Sequence, residues 1–434
     1  MITVIGTAPD TPLDATAREA VRTAHLVVGT RRHVETAGIP AGTERVVLGP
    51  LAPAFTAIER YVPARPAFED EAAGRSTATK PTVVVLADGD PGFFGIVRAL
   101  AERFGPQALD VRPGISPVAG AFASIGLPWD DAVVVSAHGG EIRTAVNTCR
   151  AHPKVAVLTG PDHGPAELGG ELARRTERRT LIVASARERV ERVTPAEAAA
   201  RDWGDAVSVV LCLDEERAPA PGRTVAGARP APAQWALGED EFVHRDSMIT
   251  KFEVRALALA RLGPRVGDLV WDIGAGSGSV AVECARLGAA AVAVEKTADG
   301  VGRIRANAAA HGVDVQAVHG AAPTILSDLA DPDAVFVGGG GRELPAIVTV
   351  CARRARRAVV VALAALDRVP AVRAALLSAG YDCDGVLLQS SRFAPLPGDV
   401  TRLAATHPVF LVWGTRPDPA LGRRSTPLIE GVVQ

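Results

Sequence analysis

The 434-residue sequence has few aromatic residues and no excess of either charge. Phenylalanine, tyrosine and tryptophan together make up 4% of the chain, and two of these residues are tyrosines. Proteins that bind single-stranded nucleic acid stack bases on aromatic side chains and neutralise phosphates with a basic surface. Here 47 lysines and arginines are balanced by 49 acidic residues, which gives a net charge of −2. The composition therefore argues against nucleic acid as a partner.

Cysteine is also scarce, and no C-x-x-C pair or histidine at ligand spacing accompanies its five positions, Cys149, Cys212, Cys284, Cys351 and Cys383. We therefore expect reduced thiols and no metal site. No apolar run reaches the ~18 residues that a membrane span needs. The first residues, MITVIG, lack the basic and apolar regions of a secretory signal. These features predict a cytoplasmic protein with no membrane partner.

One glycine-rich segment, residues 270–297, organises the rest of the chain. An apolar run ends at Asp272, Gly274, Gly276 and Gly278 follow at alternate positions, and a second apolar run ends at Glu295. Glycines let a backbone turn sharply and approach a ligand, and the N-terminus of the next helix presents free amide groups. An acid about 20 residues further on, at the tip of the second strand, is where ribose hydroxyls are held. The segment therefore predicts a site for a nucleoside cofactor.

The spacing of this motif selects among nucleoside cofactors. NAD-binding turns read G-x-G-x-x-G, whereas here the third glycine comes one position early and Ser279 occupies the last place. Asp272 would repel a pyrophosphate but not a sulfonium or an amino group. The pattern therefore favours S-adenosylmethionine. The alternatives are an NAD-dependent oxidoreductase, a protein that only senses the cofactor, and a strand-turn-helix unit without a ligand.

The chain divides into two α/β domains. Residues 1–213 alternate β-branched runs with helical patterns, which predicts a parallel sheet followed by a smaller β-rich half. Residues 214–236 are rich in proline and alanine without any period, which is the composition of a linker. Residues 237–434 alternate strands and helices around the glycine turn and predict one doubly wound domain.

Three irregular glycine-rich turns follow predicted strands of the first domain, at residues 88–95, 112–117 and 137–140. Ligands bind at the carboxyl ends of strands in open α/β sheets, so we expect these turns at one edge. Residues 63–80 carry prolines, charges and small polar residues without period and are expected to form a surface loop or a disordered insertion.

Several segments carry a family likeness. LADGDPGFFG, RPGISPVAGAFASIGLPWDD and VSAHG in the first domain resemble the tetrapyrrole methylases of corrin biosynthesis. DEFVHRDSMITKFEVRALAL, WDIGAGSGSVAVECA, HGAAP and FVGGGG in the second resemble the decarboxylating precorrin methyltransferases. Together they resemble the bifunctional methyltransferases of cobalamin biosynthesis. The resemblance implies an N-terminal tetrapyrrole-methylase-type α/β domain of two subdomains, followed by a class I methyltransferase domain with a Rossmann-like doubly wound sheet.

The resemblance also implies an activity. Two molecules of S-adenosylmethionine, released as S-adenosylhomocysteine, would methylate the tetrapyrrole precorrin-6B at C5 and C15, and the C12 acetate would be decarboxylated to give precorrin-8X. The first domain would serve C5, and the second would serve C15 and the decarboxylation. Tetrapyrrole methylases are dimers, so a homo-oligomer is implied. A class I methyltransferase acting on RNA is the alternative that the same fold leaves open.

The motif match assigns cofactor-binding residues in both domains. In the first they are Gly89, Asp90, Pro91, Phe94, Ile115 and Ser116. In the second they are Thr250, Asp272, Gly274, Gly276, Ser277, Gly278, Ser279 and Glu295, with Gly320, Ala321 and Ala322 along the adenine. Candidates for contact with substrate or for catalysis are His138, His244 and Lys251. Methyl transfer from a sulfonium to an electron-rich carbon needs neither a metal nor a covalent nucleophile, so we expect no metal ligands and no catalytic triad.

Two segments depart from the family pattern. The turn after the first strand, commonly G-x-G-P-G, reads GTAPD here, with Ala8 and Asp10 in place of glycines. After the strand near residue 361, the usual Asn-Ala-Val run is replaced by Ala362, Leu363 and Ala364. Any substrate contact made by that asparagine is therefore absent.

Overall fold

The computed structural model describes most of the chain, namely residues 1–8, 11–64, 81–138, 141–160, 162–174, 179–185, 190–204, 208–219, 226–227, 232, 234–245 and 249–417. Most of the insertion predicted at residues 63–80, part of the predicted linker, Asp10 of the GTAPD turn, and Gly139 and Gly140 of the third glycine-rich turn lie outside the described residues.

The first part of the chain forms a five-stranded parallel sheet with the strand order β3-β2-β4-β1-β5. Its elements are β1 (Ile2–Thr7), α1 (Ala15–Thr23), β2 (Leu26–Gly29), α2 (Arg31–Thr36), β3 (Glu44–Val47), α3 (Leu51–Glu59), β4 (Val83–Asp88), α4 (Val97–Phe104), a short 3-10 turn (Pro106–Ala108) and β5 (Leu109–Arg112). The central strands β1, β2 and β4 are mostly apolar and buried, as expected of parallel strands covered on both faces.

A second sheet follows, with the order β6-β7-β10-β8-β9. Strands β6 and β7 are parallel, whereas β10 pairs antiparallel with β7 and β8, and β8 with β9. The elements are α5 (Pro117–Ser124), β6 (Val133–Ser136), α6 (Ile142–Ala151), β7 (Lys154–Leu158), α7 (Pro165–Ala173), β8 (Thr180–Ser185), β9 (Val190–Val193), α8 (Pro195–Ala199) and β10 (Ser208–Leu213). The predicted smaller β-rich half of the first domain is thus confirmed.

The remaining chain forms a seven-stranded sheet with the order β13-β12-β11-β14-β15-β19-β16. Its elements are a 3-10 turn (Glu239–Glu241), α9 (Phe252–Leu262), β11 (Leu269–Ile273), α10 (Ser279–Arg286), β12 (Ala290–Glu295), α11 (Ala298–Ala310), β13 (Val315–His319), a 3-10 turn (Thr324–Asp328), β14 (Ala334–Val337), a 3-10 turn (Gly341–Glu343), α12 (Leu344–Arg354), β15 (Ala358–Leu363), a 3-10 turn (Leu366–Arg368), α13 (Val369–Ser378), β16 (Asp382–Leu388), β17 (Ser391–Leu396), β18 (Val400–Ala405) and β19 (Val409–Thr415). Strand β19 runs antiparallel between β15 and β16.

Alternate residues of the central strands build two cores, one on each face of this sheet. Trp271, Val292 and Val335 pack with α12 and α13 on one face. Val270 and Phe336 pack with α9 and α10 on the other. The strand order reverses between β11 and β14, and such a reversal opens a crevice at the carboxyl edge of a doubly wound sheet. The predicted Rossmann-like sheet is confirmed, and its crevice lies where the glycine turn follows β11.

The sequence pattern predicts no strand at β9 or at the β17–β18 hairpin. The hairpin pairs with itself, separate from the main sheet, and its cross-strand pair Phe393 and Leu403 is 85% and 66% exposed. Pro395 lies within β17, and a proline in a run usually argues against a strand. A hairpin tolerates it because proline removes a donor that only a central strand needs.

Helix α6 of the first domain joins the two halves of the molecule. The Arg143 guanidinium donates two hydrogen bonds to the Asp333 carboxylate, at 2.7 and 2.8 Å. The same carboxylate accepts a bond from the amide of Leu269, the first residue of β11, at 2.7 Å. Asn147 Nδ2 donates to the carbonyl of Gly267 at 3.1 Å. These contacts connect α6 to the base of the strand that leads to the glycine turn.

Among the helices of the described residues, none combines the length and the apolar character that crossing a bilayer demands.

Candidate cofactor sites

The glycine turn after β11 is held in a conformation that favours glycine. Gly274, Gly276 and Gly278 have φ angles of 71°, 58° and 74°. A Cβ on Gly274 would lie 3.1 Å from the backbone of Gly339, and one on Gly278 would lie 3.0 Å from Ile304. A Cβ on Gly276 would meet nothing within 4 Å. The turn is therefore packed at both ends and open in the middle, where a ligand can approach its backbone.

The Glu295 carboxylate lies directly beside this open glycine. Its Oε2 accepts a hydrogen bond from the Gly276 amide at 3.1 Å, and its Oε1 accepts bonds from the amide and hydroxyl of Thr297 at 3.0 and 2.9 Å. A Cβ on Gly300 would lie 2.4 Å from Glu295 Cγ, so the first turn of α11 packs against this side chain. The carboxylate is thus fixed at the tip of β12 within reach of the turn.

Asp272 behaves differently from the other residues of the motif. Its side chain is 2% exposed and accepts a hydrogen bond from the Ala281 amide, in the first turn of α10, at 3.0 Å. Burial raises the pKa of this carboxyl to about 7; the Ala281 bond opposes the rise, and the charge of Glu295 adds to it. In this structure Asp272 therefore holds the glycine turn against α10 and does not line the open crevice.

The ends of four parallel strands meet at this edge. The Gly338 amide, after β14, donates to the carbonyl of Ile273 at 2.9 Å. The Gly320 amide, after β13, donates to the carbonyl of Glu295 at 3.0 Å. Gly274, Ala321 and Gly338 are exposed, whereas the side chains of Ser277 and Ser279 are buried. The structure therefore brings most of the assigned residues of the second domain together around one crevice.

Asn307, on α11, is a residue that the sequence analysis missed. Its buried amide accepts a hydrogen bond from the Val243 amide at 2.8 Å, and donates to the carbonyls of Val243 and Ser277 at 2.9 and 2.8 Å. One side chain thus ties the glycine turn to the segment that precedes α9. A lone asparagine in a helix gives no sequence signal for such a role, because its partners lie far away in the chain.

The segment before α9 carries the other assigned residues of the second domain. His244 follows Val243, and its Nδ1 is a buried atom that has no hydrogen-bond partner among the described residues. Thr250 accepts through its carbonyl from Arg255 Nη1 at 2.6 Å. Lys251 stands at the N-cap of α9. His244 and Lys251 are both half-buried, and residues 246–248 between them lie outside the described part.

A charge network closes the other side of this segment. Arg392, from β17, donates to Glu239 at 2.7 and 2.9 Å and to Glu253 at 3.1 and 2.8 Å. The Arg392 hydrogen bonds lower the pKa of Glu239 to about 2; burial opposes this shift, while the Phe252 amide and the charge of Lys251 support it. The network anchors the hairpin to the start of α9.

Three strands of the first sheet also end at a common edge. The Gly89 amide donates to the carbonyl of Thr7 at 2.7 Å, and the Gly114 amide donates to the carbonyl of Gly89 at 3.1 Å. A Cβ on Gly6 would lie 2.1 Å from the Gly89 oxygen and 2.2 Å from the Gly114 nitrogen. These contacts require glycine at residue 6, and they bring the turns after β4 and β5 together as predicted.

The assigned residues of these two turns have different environments. Asp90 accepts from the Gly92 amide at 2.8 Å, and Ser116 caps α5 by accepting from the Val118 amide at 3.3 Å. Pro91 is buried, whereas Phe94, with a φ of 54°, is 58% exposed and Ile115 is 73% exposed. The edge thus presents an exposed apolar surface beside backbone that is tightly held.

A polar cluster at the end of β4 was not predicted from the sequence. Asp88 forms an ion pair with Arg32, and its Oδ1 lies 3.2 Å from His33 Nε2. Thr7 Oγ1 lies 2.8 Å from the same nitrogen. Burial raises the pKa of the Asp88 carboxyl, but the hydrogen bond and charge of His33 and the charge of Arg32 outweigh it, so the pKa is lowered. Asp88 is therefore held in its ionised form.

The third glycine-rich turn does not belong to this edge. It follows β6, which is in the second sheet, so the expectation that it shares the sheet edge of the other two turns is wrong. The exposed His138 donates through its amide to Ser136 Oγ at 3.3 Å. A Cβ on Gly160 would lie 2.5 Å from its Nδ1, so this ring rests against the turn after β7.

Comparison with known proteins identifies the family of both domains. A family model described as tetrapyrrole (corrin/porphyrin) methylases matches residues 1–200, and one described as a precorrin methyltransferase domain matches residues 240–413. A probable cobalt-precorrin-6B C(15)-methyltransferase (decarboxylating) of Pyrobaculum calidifontis is 35% identical over 170 residues, which are 38% of this chain and 87% of that protein. The chain belongs to the precorrin methyltransferases. Its methyl donor is S-adenosylmethionine.

Longer relatives align with both domains of this precorrin methyltransferase. A precorrin-6Y C(5,15)-methyltransferase [decarboxylating] of Sinorhizobium sp is 37% identical over 268 residues, 60% of this chain. The aligned part spans 63% of that relative's length, which is less than two thirds. A solved structure of the C-terminal domain of a precorrin-6Y C5,15-methyltransferase from Rhodobacter capsulatus is 34% identical and covers 42% of this chain and 97% of that one, with a TM-score of 0.38.

In this precorrin methyltransferase the run that replaces Asn-Ala-Val ends strand β15. Leu363 is buried in the core, Ala362 is half-buried and Ala364 is exposed. None of the three side chains carries a hydrogen-bonding group. Any polar contact at this position of the edge therefore comes from the backbone.

Proposed function

We propose that this protein methylates precorrin-6B at C5 and C15 and decarboxylates its C12 acetate, giving precorrin-8X in cobalamin biosynthesis. The observation that carries the proposal is the presence of two separate strand edges with tightly packed glycine turns, one after β4 and β5 and one after β11. In the proposed division, residues 1–213 serve C5, residues 237–434 serve C15 and the decarboxylation, and residues 214–236 join them. Membership of the precorrin methyltransferases favours this function over an oxidoreductase or a cofactor sensor.

The residues of the second crevice fit S-adenosylmethionine. The open backbone at Gly276 leaves room for a ligand, and Glu295 stands beside it as an acceptor for ribose hydroxyls. Gly320, Ala321 and Ala322, after β13, would line the adenine, and Thr250 would lie at the mouth. Bound there, the cofactor supplies an electrophilic methyl group on a sulfonium. Asp272 would support this site by holding the glycine turn against α10.

The first edge would hold a second molecule of the same cofactor. Gly89 and Asp90 would approach it with backbone that is fixed by neighbouring strands, and Phe94 and Ile115 would cover it with apolar surface. A methyl transfer of this kind is an in-line displacement, and the chain contributes by holding the two reactants in alignment. Such positioning can supply roughly 7–11 kcal/mol of the barrier.

Precorrin-6B carries several carboxylate arms, and the segment before α9 offers groups that suit them. Lys251, at the N-cap of α9, would bind one carboxylate. His244 has a ring nitrogen with no partner among the described residues. We propose that this nitrogen accepts or donates a proton in the reaction of the second domain. His138, on the second sheet, would serve the substrate of the first domain.

We also propose that the protein is a homo-oligomer. The β17–β18 hairpin presents Phe393 and Leu403 on one face, with exposures of 85% and 66%, and Leu396 and Val400 on the other, with exposures of 42% and 54%. A two-stranded hairpin is at best marginally stable in water unless a hydrophobic face is covered. A second copy of this chain, presenting the same apolar hairpin, would cover it through a two-fold contact.

Calorimetric titration of the full-length protein with S-adenosylhomocysteine tests the two-site proposal. We expect two molecules to bind per chain. The Gly276→Val variant should bind one, because a side chain placed at a φ of 58° in the open turn strains the backbone and fills the cofactor's space.

The matched assay uses precorrin-6B and S-adenosylmethionine and separates methyl groups on C5 and C15 by NMR. Gly276→Val should lose C15 methylation and decarboxylation while the first domain still binds its cofactor. One bound molecule in the unaltered protein would overturn the two-site proposal, and C15 methylation by Gly276→Val would show that the second site lies elsewhere.

A further inference from the structure

The polar cluster at the end of β4 leaves one carboxylate oxygen pointing to no partner. Asp88 Oδ1 is bound by the Arg32 guanidinium and lies 3.2 Å from His33 Nε2. Asp88 Oδ2 has no hydrogen bond or ion pair among the described residues, and the side chain is 52% exposed. Asp88 is the last residue of β4 and directly precedes Gly89, so this oxygen lies at the edge proposed to bind the cofactor.

Contacts to both ring nitrogens hold the His33 side chain in place. The Thr30 amide donates to Nδ1 at 3.3 Å, which requires a lone pair on that nitrogen. Thr7 Oγ1 lies 3.1 Å from the carbonyl of Ala87 and 2.8 Å from Nε2. Arg32 Nη2, which can only donate, lies 3.1 Å from Nε2 as well, so Thr7, Arg32 and Asp88 all converge on this nitrogen. His33 is 3% exposed, so it acts on the edge through these partners.

The charges that face Asp88 come from one neighbouring element. Arg32 and His33 both belong to α2, whereas β1 contributes the neutral Thr7. Thr30 and the carbonyl of Ala87, which also bond to the cluster, are neutral. The arrangement fixes the orientation of the carboxylate, keeps it ionised, and leaves a single oxygen available.

Methyl transfer to a ring carbon that carries one hydrogen needs a group like this. The carbon–sulfur bond of the donor breaks with its electrons going to sulfur, and ring π-electrons form the new bond to the methyl group. The ring is then cationic, and its conjugation returns when the carbon–hydrogen bond gives its electrons back to the ring and releases a proton. Because a C–H bond beside a cationic ring is acidic, a carboxylate of low pKa is basic enough to accept that proton.

We propose that Asp88 Oδ2 is the proton acceptor for methylation in the first domain, and that His33 and Arg32 are positioning residues that hold Asp88 through Oδ1. This inference rests on the proposed C5 methylation by that domain. The carboxylate would first stabilise the positive ring and then take its proton.

The test measures C5 and C15 methylation separately in the full-length protein, with precorrin-6B and S-adenosylmethionine carrying carbon-13-labelled methyl groups. Asp88→Asn should lower the rate at C5 by at least about 100-fold, the range for loss of a general base. Its C15 rate, its binding of S-adenosylhomocysteine and its melting temperature should match those of the unaltered protein. Asp110→Asn is the control, because it removes a partly exposed aspartate that pairs with Arg112 on the same strand, β5.

Asp88→Asn with a C5 rate within twofold of the unaltered protein would overturn the proposal, and so would loss of cofactor binding by the first domain. His33→Gln gives a second, independent readout. Removing the His33 contact should raise the pKa of Asp88, so the acid limb of the pH profile at C5 should move to higher pH. If the acid limb of the pH profile does not move, His33 has only a structural role. Absence of methylation at both carbons by the unaltered protein would instead refute the proposed function.

Discussion

At the residue scale, the most informative group is the buried carboxyl of Asp272, because its protonation is linked to folding. Its pKa is raised to about 7 in the folded chain, above the 3.8 of a free aspartate. A raised pKa means that the folded state binds the proton more tightly. The protonated carboxyl therefore contributes its full share of the free energy of unfolding below pH ~4. This contribution, up to roughly 4 kcal/mol, is lost as the pH rises to about 7.

Asp272→Asn should remove this pH dependence, because the amide keeps an acceptor for the Ala281 bond and cannot ionise. Between pH 4 and pH 7, the melting temperature of the variant should rise relative to that of the unaltered protein. Thermal unfolding at a series of pH values measures it, with Asp299→Asn, an exposed position 75% accessible, as the control. Parallel curves for Asp272→Asn and the unaltered protein would show that the carboxyl is ionised throughout.

At the element scale, helix α11 holds the second crevice in shape through one side chain. Asn307→Ala would leave the Val243 amide and the carbonyls of Val243 and Ser277 without their partner, and each unsatisfied buried group costs about 1–3 kcal/mol. We expect a melting temperature lower by several degrees and at least about tenfold weaker binding of S-adenosylhomocysteine to the second domain. Arg305→Ala, exposed on the same helix, is the matched control. Unchanged binding in Asn307→Ala would mean that the glycine turn keeps its shape unaided.

The elements themselves were predicted with uneven success, for physical reasons. Strands β11, β12 and β14 are buried apolar runs between turn residues, so the fold class followed from sequence. The turn after β6 was expected at the same sheet edge as those after β4 and β5, but β6 pairs with β7 and starts the second sheet. Strand pairing is decided by contacts along the whole domain, and a turn motif contains no information about the sheet to which its strand belongs.

At the scale of the whole molecule, we expect the exposed β17–β18 hairpin to form the contact between subunits of a homo-oligomer. Phe393→Ser combined with Leu403→Ser should release a smaller species, because these two side chains form a cross-strand apolar pair. Light scattering coupled to size-exclusion chromatography measures the mass. Leu366→Ser, which is 63% exposed in a different element, is the control. A monomer before substitution, or an unchanged mass after it, would contradict this role of the hairpin.

What the sequence by itself determined is local in the chain. The glycine turn and Glu295 belong to one strand-turn-helix-strand unit, in which residues 19 apart form a hydrogen bond. The spacing of this unit and the charge of Asp272 therefore predicted the cofactor type. The tertiary structure decided the contacts between distant segments. Asn307 meets Val243 across 64 residues, and Arg32 meets Asp88 across 56. Such pairs form when separate elements pack against one another, and neither partner alone carries a signal. The proposed acceptor at Asp88 therefore became visible only in the folded chain.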